Sequence, residues 1–168
     1  MAGPKACPKG ENTMKKAFTT TANKVVVYLD QDRPHLKAHR EDFSRPLFLT
    51  ALKYAVNKIN INNDFLIESI NIGFICGASH CVEVTNEDKI VWIAREGREI
   101  KSKIVLNREP ENTTYVTVGI CKDHTDGKMT IFTAWAGPKA ERELTDPRLT
   151  DEERPRAEAF WANHALVL

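Results

Sequence analysis

The stretch Tyr115–Ala136, YVTVGICKDHTDGKMTIFTAWA, decides the fold. Two runs rich in β-branched and aromatic residues are joined by HTDGK. Asp126-Gly127 is a turn signal, because glycine adopts the positive φ that a hairpin needs. Two registers are open. A two-residue turn at Asp126-Gly127 puts Thr133 opposite Ile120. A five-residue loop over His124–Lys128, with Gly127 left-handed, puts Thr133 opposite Gly119. A one-residue slip exchanges the faces, so burial selects the register that gives a clean core. The second register sorts the residues better. Val116, Val118, Ile120, Phe132 and Ala134 then make an apolar face. Tyr115, Thr117, Gly119, Cys121, Ile131, Thr133 and Trp135 make a mixed one, whose hydroxyls and rings mark it as the place for function.

Upstream, Lys24–Leu29 (KVVVYL) has the composition of a strand. Pro34 suits the first turn of a helix, where its missing N–H costs nothing, and a short helix is expected over Pro34–Ser44. Phe48, Ala51, Leu52, Ala55, Val56 and Ile59 recur at the 3, 4 spacing of a helix packed on a core. From Phe65 the pattern turns to strands. These are Phe65–Cys76, a hairpin of Val82–Thr85 with Ile90–Arg95, and Lys101–Arg108. Downstream, Gly137-Pro138 stops the last strand. Thr150-Asp-Glu-Glu153 has the form of a capping box, although Pro155 would remove a helical bond and makes a start at Pro155 the alternative. Ala157, Phe160, Trp161, His164 and Ala165 give the last helix a buried stripe. The fold expected is α+β, an antiparallel sheet with two N-terminal helices packed on one face and a C-terminal helix.

Residues 1–23 are rich in Lys, Thr, Pro and Gly and lack periodicity, so they are expected to form an N-terminal arm before a single α+β domain over 24–168. An ordered arm of that composition needs a neighbour to cover it, which predicts a homo-oligomer. No window approaches the ~18 apolar residues of a membrane span. The basic N-terminus lacks the apolar stretch of a secretory signal. Reduced cysteines and a cytoplasmic location are the simpler expectation. The net charge is +1, but residues 1–60 carry eleven Lys and Arg against five Asp and Glu. That third of the chain can face a polyanion, while the near-neutral total argues against a strong nonspecific nucleic-acid binder.

His35 and His39 are four apart and share a helical face, where imidazoles can move protons. HxxxH here lacks the glutamate of HExxH, so zinc-protease chemistry is set aside. Cys76, His80, Cys81, Cys121 and His124 hold zinc only if two turns meet at one end of the sheet. No paired CxxC supports that, and no metal or cofactor is expected. Arg95, Arg98, Lys103 and Arg108 lie on consecutive strands or their turns, where alternation aims one or two at a phosphate. There is no P-loop, GxGxxG or GxSxG.

A His-bearing helix, a second amphipathic helix, a strand Arg and a last strand ending TAWAGP together resemble the barnase/EndoU/colicin/RelE group of nuclease toxin domains, over roughly residues 33–136. The resemblance implies helices on one face of an antiparallel sheet and RNA on the other. It carries a helix His onto His35 or His39, a strand Arg onto Arg95 and a strand hydroxyl onto Thr133. The activity implied is metal-independent RNA cleavage, with Tyr115, Thr117, Trp135 and Lys103 binding substrate. The competing class is a noncatalytic protein-interaction or small-ligand-binding protein. It accounts for the neutral charge, the arm and the aromatic residues without an assembled site.

Overall fold

The structure, a computed structural model, describes residues 15–168. Its strands are β1 (Lys16–Thr20), β2 (Val26–Leu29), β3 (Phe65–Asn71), β4 (Gly77–Ser79), β5 (Cys81–Glu83), β6 (Ile90–Ala94), β7 (Lys101–Val105), β8 (Glu111–Thr113), β9 (Tyr115–Lys122), β10 (Met129–Ala136) and β11 (His164–Leu166). Its α-helices are α1 (Pro34–His39), α2 (Phe48–Asn57) and α3 (Arg154–Asn163), and a 3-10 turn, Arg40–Asp42, follows α1. Among the described residues the chain forms two compact units, the first of residues 15–78 and 112–139, the second of 79–111 and 140–168. The expected arm is a strand over Lys16–Thr20, and its first fourteen residues lie outside the described ones.

The first unit is built on a five-stranded sheet of order β1-β2-β10-β9-β3. It is mixed, which corrects the antiparallel expectation: β2 runs parallel to β10, pairing only Val27 with Met129 and Tyr28 with Thr130. The hairpin turn lies where the DG signal put it, with Gly127 at φ 71° and its N–H donating to the Asp123 carbonyl at 2.7 Å. Thr133 stands opposite Gly119. Nearer the turn a bulge lies between Ile131 and Thr133, and Ile131 faces Ile120. The bulge's extra residue, Phe132, breaks the alternation. Ile131 therefore joins Val116, Val118, Ile120 and Ala134 in the core, and Phe132 stacks on Phe65 at 5.2 Å instead. The expected faces are corrected at these two positions.

The helices also sit differently from expectation. α2 places Ala51, Leu52, Ala55 and Val56 in the core shared with β9. α1 packs against β10, along the stretch that β2 leaves unpaired. A sheet edge needs such a cover for its free backbone groups. From there Leu36 enters the core, while its neighbour His35 reaches Thr133, a residue on the opposite face of β10 from Ala134.

In the second unit β5-β11-β7-β6 form a four-stranded mixed sheet. The expected hairpin of Val82–Thr85 with Ile90–Arg95 does not form. β6 pairs antiparallel with β7, and β5 pairs with β11. The capping box closes: Thr150 N donates to Glu153 Oε2 and Glu153 N to Thr150 Oγ1. The helix then starts at Arg154, with Pro155 in the first turn, where no N–H is needed. His164 and Ala165, expected on α3, begin β11 instead. No helix among the described residues is long and apolar enough to cross a membrane.

Candidate active site

Four of the residues singled out from the sequence meet in the first unit. His35 Nε2 lies 2.8 Å from Thr133 Oγ1. The His35 and His39 rings are 4.9 Å apart and nearly perpendicular, and the His39 ring is 6.0 Å from Trp135. The i, i+4 spacing on one helical turn brings the imidazoles together, and the β10 alternation presents Thr133 and Trp135 on the same side. Thr133 is 4% exposed, so its hydroxyl needs the imidazole as partner. His35 is exposed and His39 half-buried. Trp135 is fixed by its indole N–H, which donates to the Pro138 carbonyl at 3.3 Å.

Two supporting residues escaped the sequence reading. Asp42 Oδ2 lies 3.1 Å from His39 Nδ1. A carboxylate there holds the proton on Nδ1 and leaves Nε2 to accept one. Its signal was the i, i+3 spacing His39–Asp42, which the bend into the 3-10 turn preserves. Gly119 is the second. A Cβ there would lie 2.6 Å from Thr133 Cγ2 and 2.7 Å from Phe132 Cζ. Only glycine lets the Thr133 methyl lie flat on β9, which turns its hydroxyl toward His35.

Of the other expected site residues, Thr117 and Tyr115 belong to the first unit, with Thr117 opposite Trp135, and Arg95 and Lys103 belong to the second. Thr117 is fully buried, and its hydroxyl donates to the Gly137 carbonyl at 2.8 Å, out of a substrate's reach. Tyr115 is exposed at the start of β9. Arg95 belongs to the second unit, 3.8 Å from Glu143, and with Arg98 it lines a cleft of about 330 Å³. Lys103, in the same unit, donates to the Trp161 carbonyl at 2.6 Å.

Beside α1 the first unit holds a cleft of about 410 Å³, lined by Lys16, Phe18, Leu29, Asp30, Gln31 and Arg40 among others. Asp30 is 6% exposed. Its Oδ1 accepts from Asp32 N at 3.0 Å, while Oδ2 has no hydrogen-bond partner among the described residues. Arg40 donates from Nη2 to the Gln31 carbonyl at 3.3 Å and lies over the Phe48 ring, but its Nε–H is also unpartnered. A buried polar atom left so costs about 1–3 kcal/mol. At the start of α1, burial pushes the Arg33 guanidinium below its ordinary pKa, against the opposing pull of Asp30 and Asp123.

Among the described residues no group of three or more His, Cys, Asp or Glu is placed to hold a metal ion. Cys76 is buried and donates to the Thr113 carbonyl. Burial pushes the Cys81 thiol up to about 12. Cys121 is disulfide-bonded, which corrects the expectation of reduced cysteines at that position.

No family model matches this chain, and no curated protein does. A solved structure, a conserved hypothetical protein from Toxoplasma gondii ME49, is similar with a TM-score of 0.45 and 13% identity, over 79% of this chain and 90% of that one. A likeness that slight carries no argument about function.

Proposed function

We propose that the first unit cuts RNA without a metal, as the resemblance to the barnase/EndoU/colicin/RelE group implies. The observation that carries this is the pairing of His35 with Thr133 at 2.8 Å, with the His39 ring 4.9 Å from that of His35. Two imidazoles are the groups whose ordinary pKa suits proton transfer near neutral pH. His39, its Nδ1 facing Asp42, takes the ribose 2′-OH proton on Nε2. The 2′-oxygen attacks the adjacent phosphorus and the P–O5′ bond breaks. His35, protonated and anchored through Nε2–H on Thr133 Oγ1, returns a proton from Nδ1 to the leaving 5′-oxygen. The products are a 2′,3′-cyclic phosphate and a 5′-hydroxyl. Arg33, two residues before His35, meets the charge developing on the phosphoryl oxygens. Trp135 stacks a base beside His39.

The test is RNA cleavage in excess EDTA, with the ends identified by mass spectrometry. Cyclic phosphate ends are expected. RNA left whole at high protein concentration would overturn the reading.

A second reading, a protein-interaction role, is favoured by β6. This edge strand of the second unit exposes Ile90, Trp92 and Ile93, and an unpaired apolar edge is a template for another strand. A second copy of the chain or a protein partner seated there would restore the homo-oligomer expected from the sequence. Light scattering on the parent and on Trp92→Lys separates the cases: a monomer in both removes the second copy.

A further inference from the structure

We propose that the open edge of β6 docks an extended acidic segment of another protein, and that Arg95 and Arg98 read its carboxylate. This rests on the protein-interaction reading of that edge and is independent of the ribonuclease. β6 is the last strand of its sheet. Leu106 N donates to the Lys89 carbonyl and Arg95 N to the Ile100 carbonyl, each at 2.9 Å. Antiparallel pairing alternates, so Lys89, Val91, Ile93 and Arg95 turn their backbone groups inward. Ile90, Trp92 and Ala94 therefore turn theirs to the open edge, and all three are exposed. Among the described residues no strand pairs with that edge. A row of free N–H and C=O groups is what an added peptide strand bonds to.

The edge runs into a cleft of about 330 Å³, lined by Ile93, Arg95, Arg98, Ile104 and Leu168 among others. Ile93 and Arg95 alternate onto the same face of the strand. The ion pair from Arg95 to Glu143 is 3.8 Å long, beyond hydrogen-bond length. Arg98 is exposed in the turn that Gly97 closes at φ 72°. A guanidinium takes a carboxylate through two parallel N–H bonds. Residues 89–103 carry five Lys and Arg against two Glu, which favours an acidic occupant. A second copy of this chain fits badly. Two β6 strands paired antiparallel over their full length put Lys89 of each opposite Arg95 of the other, and like charges so placed are destabilising. A strand with Asp or Glu opposite Arg95 and aliphatic residues opposite Ile93 and Trp92 matches both the charge and the apolar surface.

Fluorescence anisotropy on the whole chain tests this with labelled hexapeptides. The probes are acetyl-Glu-Thr-Ile-Val-Thr-Val amide and its reversed sequence, so that both strand directions are sampled. One of them is expected to bind at least ~10-fold tighter than its counterpart with Lys for Glu. Two further forms carry N-methyl groups, one on each alternate set of amides. One form should lose binding by at least ~10-fold and the other keep it, because only one set faces β6. In the double variant Arg95→Gln, Arg98→Gln the advantage of Glu over Lys should fall below ~3-fold. Equal binding of the Glu and Lys peptides overturns the carboxylate reading and leaves strand docking in place. Equal binding of both N-methylated forms overturns strand addition. No binding of any peptide, with a dimer by light scattering that Trp92→Lys dissolves, overturns the acidic segment and leaves the interaction reading with a second copy. No binding, with a monomer in parent and variant, overturns both.

Discussion

Among the described residues, the first unit gathers nineteen buried apolar residues into one cluster, whereas the second divides its core between clusters of four and three. The difference falls on the strands that carry the proposed site. β9 and β10 are almost wholly buried, and the His35–Thr133 pair stands on them. β6 in the second unit is mostly exposed. A site that must hold a hydrogen bond of 2.8 Å needs a support that does not breathe, and a continuous core supplies it. A small divided core is the kind that opens locally.

The largest expected effect breaks the comparison at the level of chemistry. His35→Ala and His39→Ala should each lower RNA cleavage by roughly 10²–10⁴-fold, the ordinary worth of a general acid or base. Their melting temperatures should stay near the parent's, because neither ring is in the core cluster. Arg95→Ala is the control from the second unit. A loss as large as that of the histidine variants would draw the second unit into the chemistry.

Next is stability. Leu52→Ala empties a fully buried position of the large core and should cost about 2–5 kcal/mol. Val82→Ala, in the smaller cluster of the second unit, should cost about 1–3 kcal/mol. Hydrogen exchange read by mass spectrometry sharpens the contrast. Amides of β9 and β10 are expected to exchange slowest, and those of β5 and β11 well before them. Equal protection would mean that the two units open as one.

A smaller change tests how the site is held. Gly119→Ala puts a methyl against Thr133 Cγ2 and Phe132. Overpacking of this kind typically costs about 1–3 kcal/mol. The displaced hydroxyl should also leave His35, so cleavage should fall by more than the stability loss explains. Serine at 133 in an otherwise unchanged chain removes the methyl and keeps the hydroxyl. The double variant Gly119→Ala, Thr133→Ser is therefore expected to recover activity; no recovery would mean that Gly119 acts through Phe132 alone.

What the sequence made legible follows from the range of the forces involved. The hairpin turn was legible because Asp126-Gly127 carries its own conformational preference, and the pairing of Thr133 with Gly119 followed from sorting the faces. The bulge at Phe132 was not, since no Gly or Pro marks it and the cause is packing against Phe65 and Gly119. The capping box was legible because its two bonds are local. β11 was not, because HAL continues a helical pattern and becomes a strand only by pairing with β5. Likewise the parallel pairing of β2 with β10 joins residues a hundred positions apart. At the proposed site, His35, His39, Thr133 and Trp135 stood out as residue types, and the fold brings them together. Asp42 carried only its i, i+3 spacing to His39 as a signal, and Gly119 is defined by what it touches.

The smallest effect compares one acidic link in each unit. In the first, the hydrogen bond from Lys15, with that from Thr125 N, holds the Asp123 carboxyl down at about 2. Burial alone would lower Lys15; its bonds to Asp123 and Asp126 outweigh this and raise it. In the second, Arg148 holds Asp146 below its ordinary value. A carboxylate whose folded pKa lies below its unfolded value of about 4 stabilises the fold above that pH. The contribution fades as pH falls from about 4 toward 2, where the folded carboxylate takes its proton. Asp123 is about a third exposed, so solvent screens the link and the effect is modest. Asp123→Asn should lower the melting temperature by a few degrees at pH 7 and by only a small part of that at about pH 2. Asp146 is nearly enclosed while Arg148 is open to water, and Asp146→Asn should follow the same pH course. A melting difference between Asp123→Asn and the parent that persisted unchanged down to about pH 2 would show that the Lys15 link holds the hairpin by shape and not by charge.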